Sequence, residues 1–157
     1  MAKGLTLGKF APLHKGHQAL IDFSLRYADQ LVIVIYACDE LPSCPLPIRI
    51  KWLEQLYPQV QVILAIDGPK EVGYSQEIIN KHDVYLQELL KDHCFDYFFS
   101  SESYGEHVSL ALNCKDIRFD QARTKVPISA TKIRNNVDQF KDYLSPLVYN
   151  TLIEQND

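Results

Sequence analysis

Between Gly8 and His17 the chain reads Gly8-Lys9-Phe10-Ala11-Pro12-Leu13-His14-Lys15-Gly16-His17, a segment that concentrates two glycines, two lysines and two histidines. Each has a use if a polyphosphate binds there. Gly8 allows close approach of backbone to ligand, and Gly16 permits a tight entry into a helix. Lys9 and Lys15 add cationic reach. His14 and His17 bring ring N–H donors toward one point, and a helix starting at His17 offers open backbone N–H groups and a positive dipole end. The same residues also suit an ordinary strand-to-helix turn with solvated histidines. A metal site needs a third ligand that the local sequence does not supply.

A second segment, Pro127-Ile128-Ser129-Ala130-Thr131-Lys132-Ile133-Arg134, has the same character. Ile128 ends an extended piece, and Ser129 or Thr131 is a good N-cap for the helix that follows. Hydroxyls and backbone N–H groups at that start form an anion nest, and Arg134 can fork onto phosphate oxygens. An ordinary capped helix with an exposed arginine fits these residues too.

The elements that must position these segments alternate. Residues 4–10 read as a strand, 17–28 as a helix with Leu20, Phe23 and Tyr27 on one face, and LVIVIYA (31–37) as a strand buried on both sides. A proline-punctuated loop leads to a helix opened by Pro47 and ended by Pro58. Strands follow at 60–66, 95–100 and 115–119, the last with the polar face of an edge strand. Helices are expected at 76–90, 106–112 and from Pro146 to about Leu152, with Ser145 as cap. This order predicts an α/β, Rossmann-like parallel sheet of about five strands with helices on both faces. Ligands of such sheets bind at the carboxyl ends of the strands, where strand order reverses, and Gly8 stands at such an end.

The chain has 157 residues, 46% hydrophobic and 23% charged, the composition of one globular domain (1–157) without repeats or linkers. A net charge of −4 argues against a general nucleic-acid or anionic-membrane binder, though not against a local anion site. The opening MAKGLTLGKF has no apolar run of signal-peptide length, and no segment approaches the ~20 residues of a membrane span. Cys38, Cys44, Cys94 and Cys114 form no CxxC pair, so reduced thiols in a cytoplasmic protein are expected.

GKFAPLHKGH resembles the GxFxPxHxGH motif, and ISATKIR the ISxTxxR motif, of the nucleotidylyltransferase superfamily. Their order and their separation by more than a hundred residues also fit. Within that superfamily the chain looks most like the nicotinamide mononucleotide (NMN) adenylyltransferase domain of NadR proteins. Arg49-Ile50-Lys51-Trp52 resembles the RLRW-type helix there, Phe99-Ser100-Ser101-Glu102 the FSSE after the fourth strand, and Arg123-Thr124 the approach to the second motif. The similarity runs to about Tyr149. No GxxxxGK[ST] loop is present, so the kinase domain of NadR proteins is not expected, and the N-terminal DNA-binding domain of some NadR proteins is not expected either.

The resemblance implies attack of a mononucleotide 5′-phosphate on the α-phosphorus of ATP, with release of pyrophosphate. It assigns His14 and His17 to the ATP phosphates and the transition state, Lys9 to the α-phosphate and the incoming phosphate, and Ser129, Thr131 and Arg134 to the β- and γ-phosphates. Gly8, Phe10 and Gly16 shape the ATP site, Ser100 and Ser101 meet the adenosine, and Arg49 takes the acceptor's phosphate. Mg²⁺ bridges the triphosphate, held mostly by phosphate oxygens and water, with no protein residue assigned to it. Related enzymes often form hexamers or tetramers, so a homo-oligomer is within the family pattern. The chain departs from it at the acceptor base: relatives stack nicotinamide on a tryptophan after the third strand, whereas the one tryptophan here, Trp52, shares a core face with Ile48 and Leu56. Tyr74 is the candidate for the stacking face. Transfer to a different phosphorylated acceptor, or a nucleotide-sensing module without turnover, are the alternatives.

Overall fold

In a computed structural model the chain is described over residues 1–37, 43–69, 73, 75–101, 105–119 and 127–155. Strands and helices alternate through β1 (Lys3–Gly8), α1 (Lys15–Tyr27), β2 (Gln30–Tyr36), α2 (Leu46–Leu56), β3 (Gln61–Ala65), α3 (Gln76–Leu89), β4 (Tyr97–Ser100), α4 (Gly105–Ala111) and β5 (Lys115–Arg118). After them come α5 (Ala130–Asn135), a 3-10 turn at Lys141–Tyr143 and α6 (Pro146–Gln155). All strand pairs are parallel, in the order β3-β2-β1-β4-β5. The chain steps outward from β1 to β3 and then returns to the other side of β1. Strand order therefore reverses between β1 and β4, which opens a crevice at their carboxyl ends.

The apolar run of β2 sits inside the sheet because both of its faces are covered. Leu31, Ile33 and Ile35 join a core with Leu20 and Ile21 of α1, Trp52 and Leu53 of α2, and Val148 and Leu152 of α6. Val32 and Val34 join Leu5, Leu7 and Phe98 in a second core under Leu86 of α3 and Val108 of α4. At the amino end, the backbone N–H groups of Ala2 and Lys3 donate to the carboxylates of Asp29 and Asp96, both at 2.8 Å.

The expected elements are all present, with shifted ends. β1 stops at Gly8 rather than Phe10, because Phe10 takes a left-handed φ of 54° that no strand continues. α1 begins at Lys15 rather than His17. α2 begins at Leu46 with Pro45 as N-cap, and both Pro45 and Pro47 fall where a helix needs no N–H. β5 is an edge strand, as its polarity predicts. α6 runs on to Gln155, and Ser145 Oγ accepts from Val148 N–H at 3.4 Å as its cap. Cys44, Cys94 and Cys114 are not in disulfides. No helix among the described residues is long and apolar enough to cross a membrane.

Trp52 is 1% exposed, and its Nε1–H donates to Thr151 Oγ1 of α6 at 3.3 Å. It is a packing residue. Its fluorescence should therefore be blue-shifted in the native protein, move to the red in urea, and show no quenching by any mononucleotide acceptor. Trp52→Ala should cost about 3–5 kcal/mol of unfolding free energy, read from urea titration.

Candidate active site

Gly8 is the last residue of β1 to pair with β2. A Cβ there would meet the Phe10 ring at 2.9 Å, so only glycine lets Phe10 fold back over the strand end. Phe10 is buried, and its ring meets His17 edge-on with centroids 4.9 Å apart. Lys9, between them, is exposed.

His14 is 5% exposed and caps α1. Its Nδ1 accepts from Gly16 N–H at 3.0 Å and His17 N–H at 3.3 Å, while His17 Nδ1 accepts from His14 N–H at 3.2 Å. The two rings stack with centroids 3.7 Å apart and planes 18° from parallel. A ring nitrogen that accepts from an N–H carries no proton, so both histidines hold the tautomer with the proton on Nε2. Two ring donors then stand side by side. The expectation of open backbone N–H groups at this helix start is corrected here: those of Gly16 and His17 are taken by His14. Donor capacity passes from the backbone to the imidazole Nε2–H groups.

Gly16 matters for a second reason. A Cβ there would lie 2.8 Å from His14 Cε1 and 3.5 Å from Ile128 Cγ2. The bare glycine is what lets the His14 ring fold over the helix start, and Ile128 stands at ordinary contact distance from the same point. Ile128 is buried at this contact, and Ser129 Oγ accepts from Lys132 N–H at 3.3 Å, making Ser129 rather than Thr131 the cap of α5. Thr131 Oγ1 instead accepts from Arg134 Nη2 at 3.3 Å, and Arg134 Nη1 donates to the carbonyl of Ala11 at 2.6 Å. That bond ties together two segments 123 residues apart.

Arg49 is 0% exposed. Its Nε donates to the carbonyl of Cys44 at 2.7 Å, and its Nη1 to those of Lys9 and Tyr36 at 2.8 and 2.7 Å. The structure thus sets Arg49 beneath the ends of β1 and β2, against backbone, rather than at an open surface. Beside it, burial pushes the Cys44 thiol pKa up, opposed by the Ser43 hydroxyl and by the charges of Arg49 and Arg134. Ser100 is buried at the carboxyl end of β4, across the crevice from β1, and Ser101 Oγ donates to the Phe119 carbonyl after β5. Tyr74, Glu102, Arg123 and Thr124 lie outside the described residues.

Neither α1 nor α5 has an acidic residue in its first turn, and α1 opens with Lys15 there. Positive charge at a helix N-terminus is unfavourable unless an anion joins it. Among the described residues no group of three His, Cys, Asp or Glu side chains could hold a metal ion. The donors around the strand ends are N–H groups and cations, a set suited to phosphate oxygens. Sequence reasoning missed the carbonyls of Ala11, Tyr36 and Cys44, which carry no residue signature. It could have found the burial of Arg49, which shares a helical face with Trp52 and Leu53.

Residues 5–136 match the family model described as cytidylyltransferase-like. The chain belongs to this family. Among curated proteins nothing matches the sequence. Solved structures share the cytidylyltransferase-like fold. A NadR protein in complex with NAD and AMP-PNP aligns at a TM-score of 0.68 and 21% identity, over 93% of this chain and 45% of that one. A bifunctional NMN adenylyltransferase/ADP ribose pyrophosphatase from Francisella tularensis aligns at 0.68 and 20%, over 98% and 49%. A further structure of that bifunctional protein, with 18% identity, TM-score 0.68 and coverage of 99% and 53%, is complexed with AMP and a manganese ion. Nicotinic acid mononucleotide adenylyltransferase from Plasmodium falciparum aligns at 0.59 and 15%, over 99% and 96%. The chain spans about half the length of the NadR and Francisella proteins.

The buried carbonyls facing Arg49 give a direct test of its role. Removing a partner from a buried polar group costs roughly 1–3 kcal/mol each. Arg49→Leu should therefore lower the unfolding free energy by about 3 kcal/mol or more in urea. An arginine whose main partner is an external phosphate would leave stability unchanged and raise the KM for the acceptor.

Proposed function

We propose that this chain is an adenylyltransferase that joins the AMP of ATP to the 5′-phosphate of nicotinamide mononucleotide, giving NAD and pyrophosphate. The observation that carries this reading is the stacked histidine pair, whose two Nε2–H donors stand at the crevice where strand order reverses. The match to the family and the adenylyltransferase neighbours support it.

An oxygen of the acceptor phosphate attacks the α-phosphorus of ATP. The bond from that phosphorus to the oxygen bridging the β-phosphate breaks, and pyrophosphate leaves with the electron pair. No covalent enzyme intermediate is required, because well-oriented reactants account for roughly 7–11 kcal/mol of barrier. The two Nε2–H groups donate to the α-phosphate and to the charge that builds on it. Lys9 neutralises the repulsion between the α-phosphate and the incoming phosphate. Arg134, with Thr131 and Ser129 beside it, holds the β- and γ-phosphates that depart.

Gly8, Phe10 and Gly16 shape the floor on which the triphosphate lies, and Ser100 and Ser101 border the adenosine. Arg49 contributes by holding the Lys9 backbone, and Tyr74 is the candidate stacking face for the acceptor base. Magnesium belongs to the substrate, carried on triphosphate oxygens and water, because the donor set here suits the phosphates rather than the cation.

Pyrophosphate release should be measured with ATP and Mg²⁺ against NMN, nicotinate mononucleotide, phosphopantetheine and glycerol 3-phosphate. Release with NMN, with NAD as product, is expected; release only with another acceptor keeps the mechanism and replaces the substrate. ATP binding without turnover on any acceptor would instead favour a nucleotide sensor.

His17→Ala should lower kcat by about 10²–10³ while leaving ATP affinity largely intact. His14→Asn separates two roles of one ring. Asparagine is a good N-cap, so thermal stability should hold while turnover is lost.

A further inference from the structure

Among the described residues, Phe10 and Asn113 have left-handed backbone without being glycine, at φ 54° and 55°. Asn113 follows α4, where asparagine suits that conformation. Phenylalanine does not: a bulky residue is rarely left-handed, and such a turn persists only where its surroundings hold it. Phe10 is held on both sides. The carbonyl of Lys9 accepts from Arg49 at 2.8 Å, and that of Ala11 accepts from Arg134 at 2.6 Å.

The turn sends adjacent side chains in opposite directions. Lys9 is exposed, whereas Phe10 is 2% exposed and belongs to the core that contains Leu13 and Ile128. The tip of the Phe10 ring lies over Gly8, where a Cβ would stand 2.9 Å from Cζ. The ring meets that of His17 at an angle of 69° with centroids 4.9 Å apart. His17 has two further restraints: it stacks on His14 at 3.7 Å, and its Nδ1 accepts from the His14 N–H at 3.2 Å. The stack resists tilting of the imidazole, and the hydrogen bond resists a ring flip. Phe10, set steeply against the imidazole as aromatic pairs prefer, adds a contact in a direction that neither supplies.

We propose that Phe10 is a positioning residue for His17: its ring fixes where the His17 Nε2–H stands, and it touches no nucleotide itself. A ring buried to this degree offers a ligand no surface, so its part in the site passes through its neighbour. The role rests on the adenylyltransferase reading for what that donor does. Position matters there because a displacement of about 1 Å from productive geometry can cost roughly 10²-fold in rate. One strained turn thus sets a cation, Lys9, and a ring donor, His17, relative to each other.

Two variants disturb the contact from opposite sides. Phe10→Leu keeps an apolar side chain in the core and removes the ring. Gly8→Ala keeps the ring and sets a Cβ against its tip, which must then move. Nuclear magnetic resonance of the imidazole nitrogens, on the full chain without substrates, should report His17 in one tautomer with the proton on Nε2. In both variants the His17 nitrogen shifts should move toward the average of two tautomers, a change larger than the loss of a ring current makes. Those of His82, His93 and His107 should stay in place. With ATP, Mg²⁺ and NMN, Phe10→Leu should lower kcat by about 10–100-fold and leave the Kd for ATP unchanged. In a His17→Ala background it should lower kcat no further, because the ring it acts through is already gone. Unmoved His17 nitrogen shifts overturn the proposal. So does a weakened Kd for ATP at full kcat, the behaviour of a residue that binds the nucleotide, or a double variant whose loss is the product of the two single losses. If no acceptor gives turnover, the adenylyltransferase reading fails instead, and the imidazole nitrogens still decide whether Phe10 holds His17.

Discussion

A parallel sheet delivers all its strands to one edge with the same polarity, and the backbone leaving that edge has carbonyls with no strand to accept for. Arg49 meets this constraint for three of them at once, at Lys9, Tyr36 and Cys44. Arg134 does the same for Ala11. Each guanidinium offers several donors in a fixed plane, so one side chain can hold segments that no ladder connects. The loop from Gly8 to His14 owes its position to these bonds. The histidines that follow it inherit that position.

Charged groups stand at both ends of the sheet. Carboxylates of Asp29 and Asp96 receive backbone N–H groups at the amino end. The carboxyl end gathers Lys9, Lys15, Arg49 and Arg134 around two imidazoles, in a chain whose net charge is negative. The capping box adds economy: the Nδ1 atoms of His14 and His17 fold the helix start, and the same bonds fix both ring protons on Nε2.

Much of this was legible in the residues. The apolar run of β2, the alternation of strands with amphipathic helices and the polarity of β5 led to the sheet and its edge. The glycines and histidines between Gly8 and His17, with the hydroxyls and arginine near Ser129, led to the two segments that the structure joins. Helix starts were read late at His14 because histidine is a weak cap by propensity, and only its neighbour three residues on completes the box. Arg49 was assigned to the acceptor's phosphate by resemblance, and its contacts with carbonyls from other parts of the chain were not legible, because a carbonyl has no residue signature.

Local chemistry, then, belonged to the sequence: which residues can turn, cap, donate or carry charge follows from their types and spacing within a few positions. The tertiary structure decided which partners those groups meet. It closed the 123-residue separation between Arg134 and Ala11, buried Arg49 and gave the backbone N–H groups of α1 to His14. Each of these outcomes depends on carbonyls and N–H groups that every residue carries. Their partners are chosen by packing in three dimensions, and no side-chain pattern announces them.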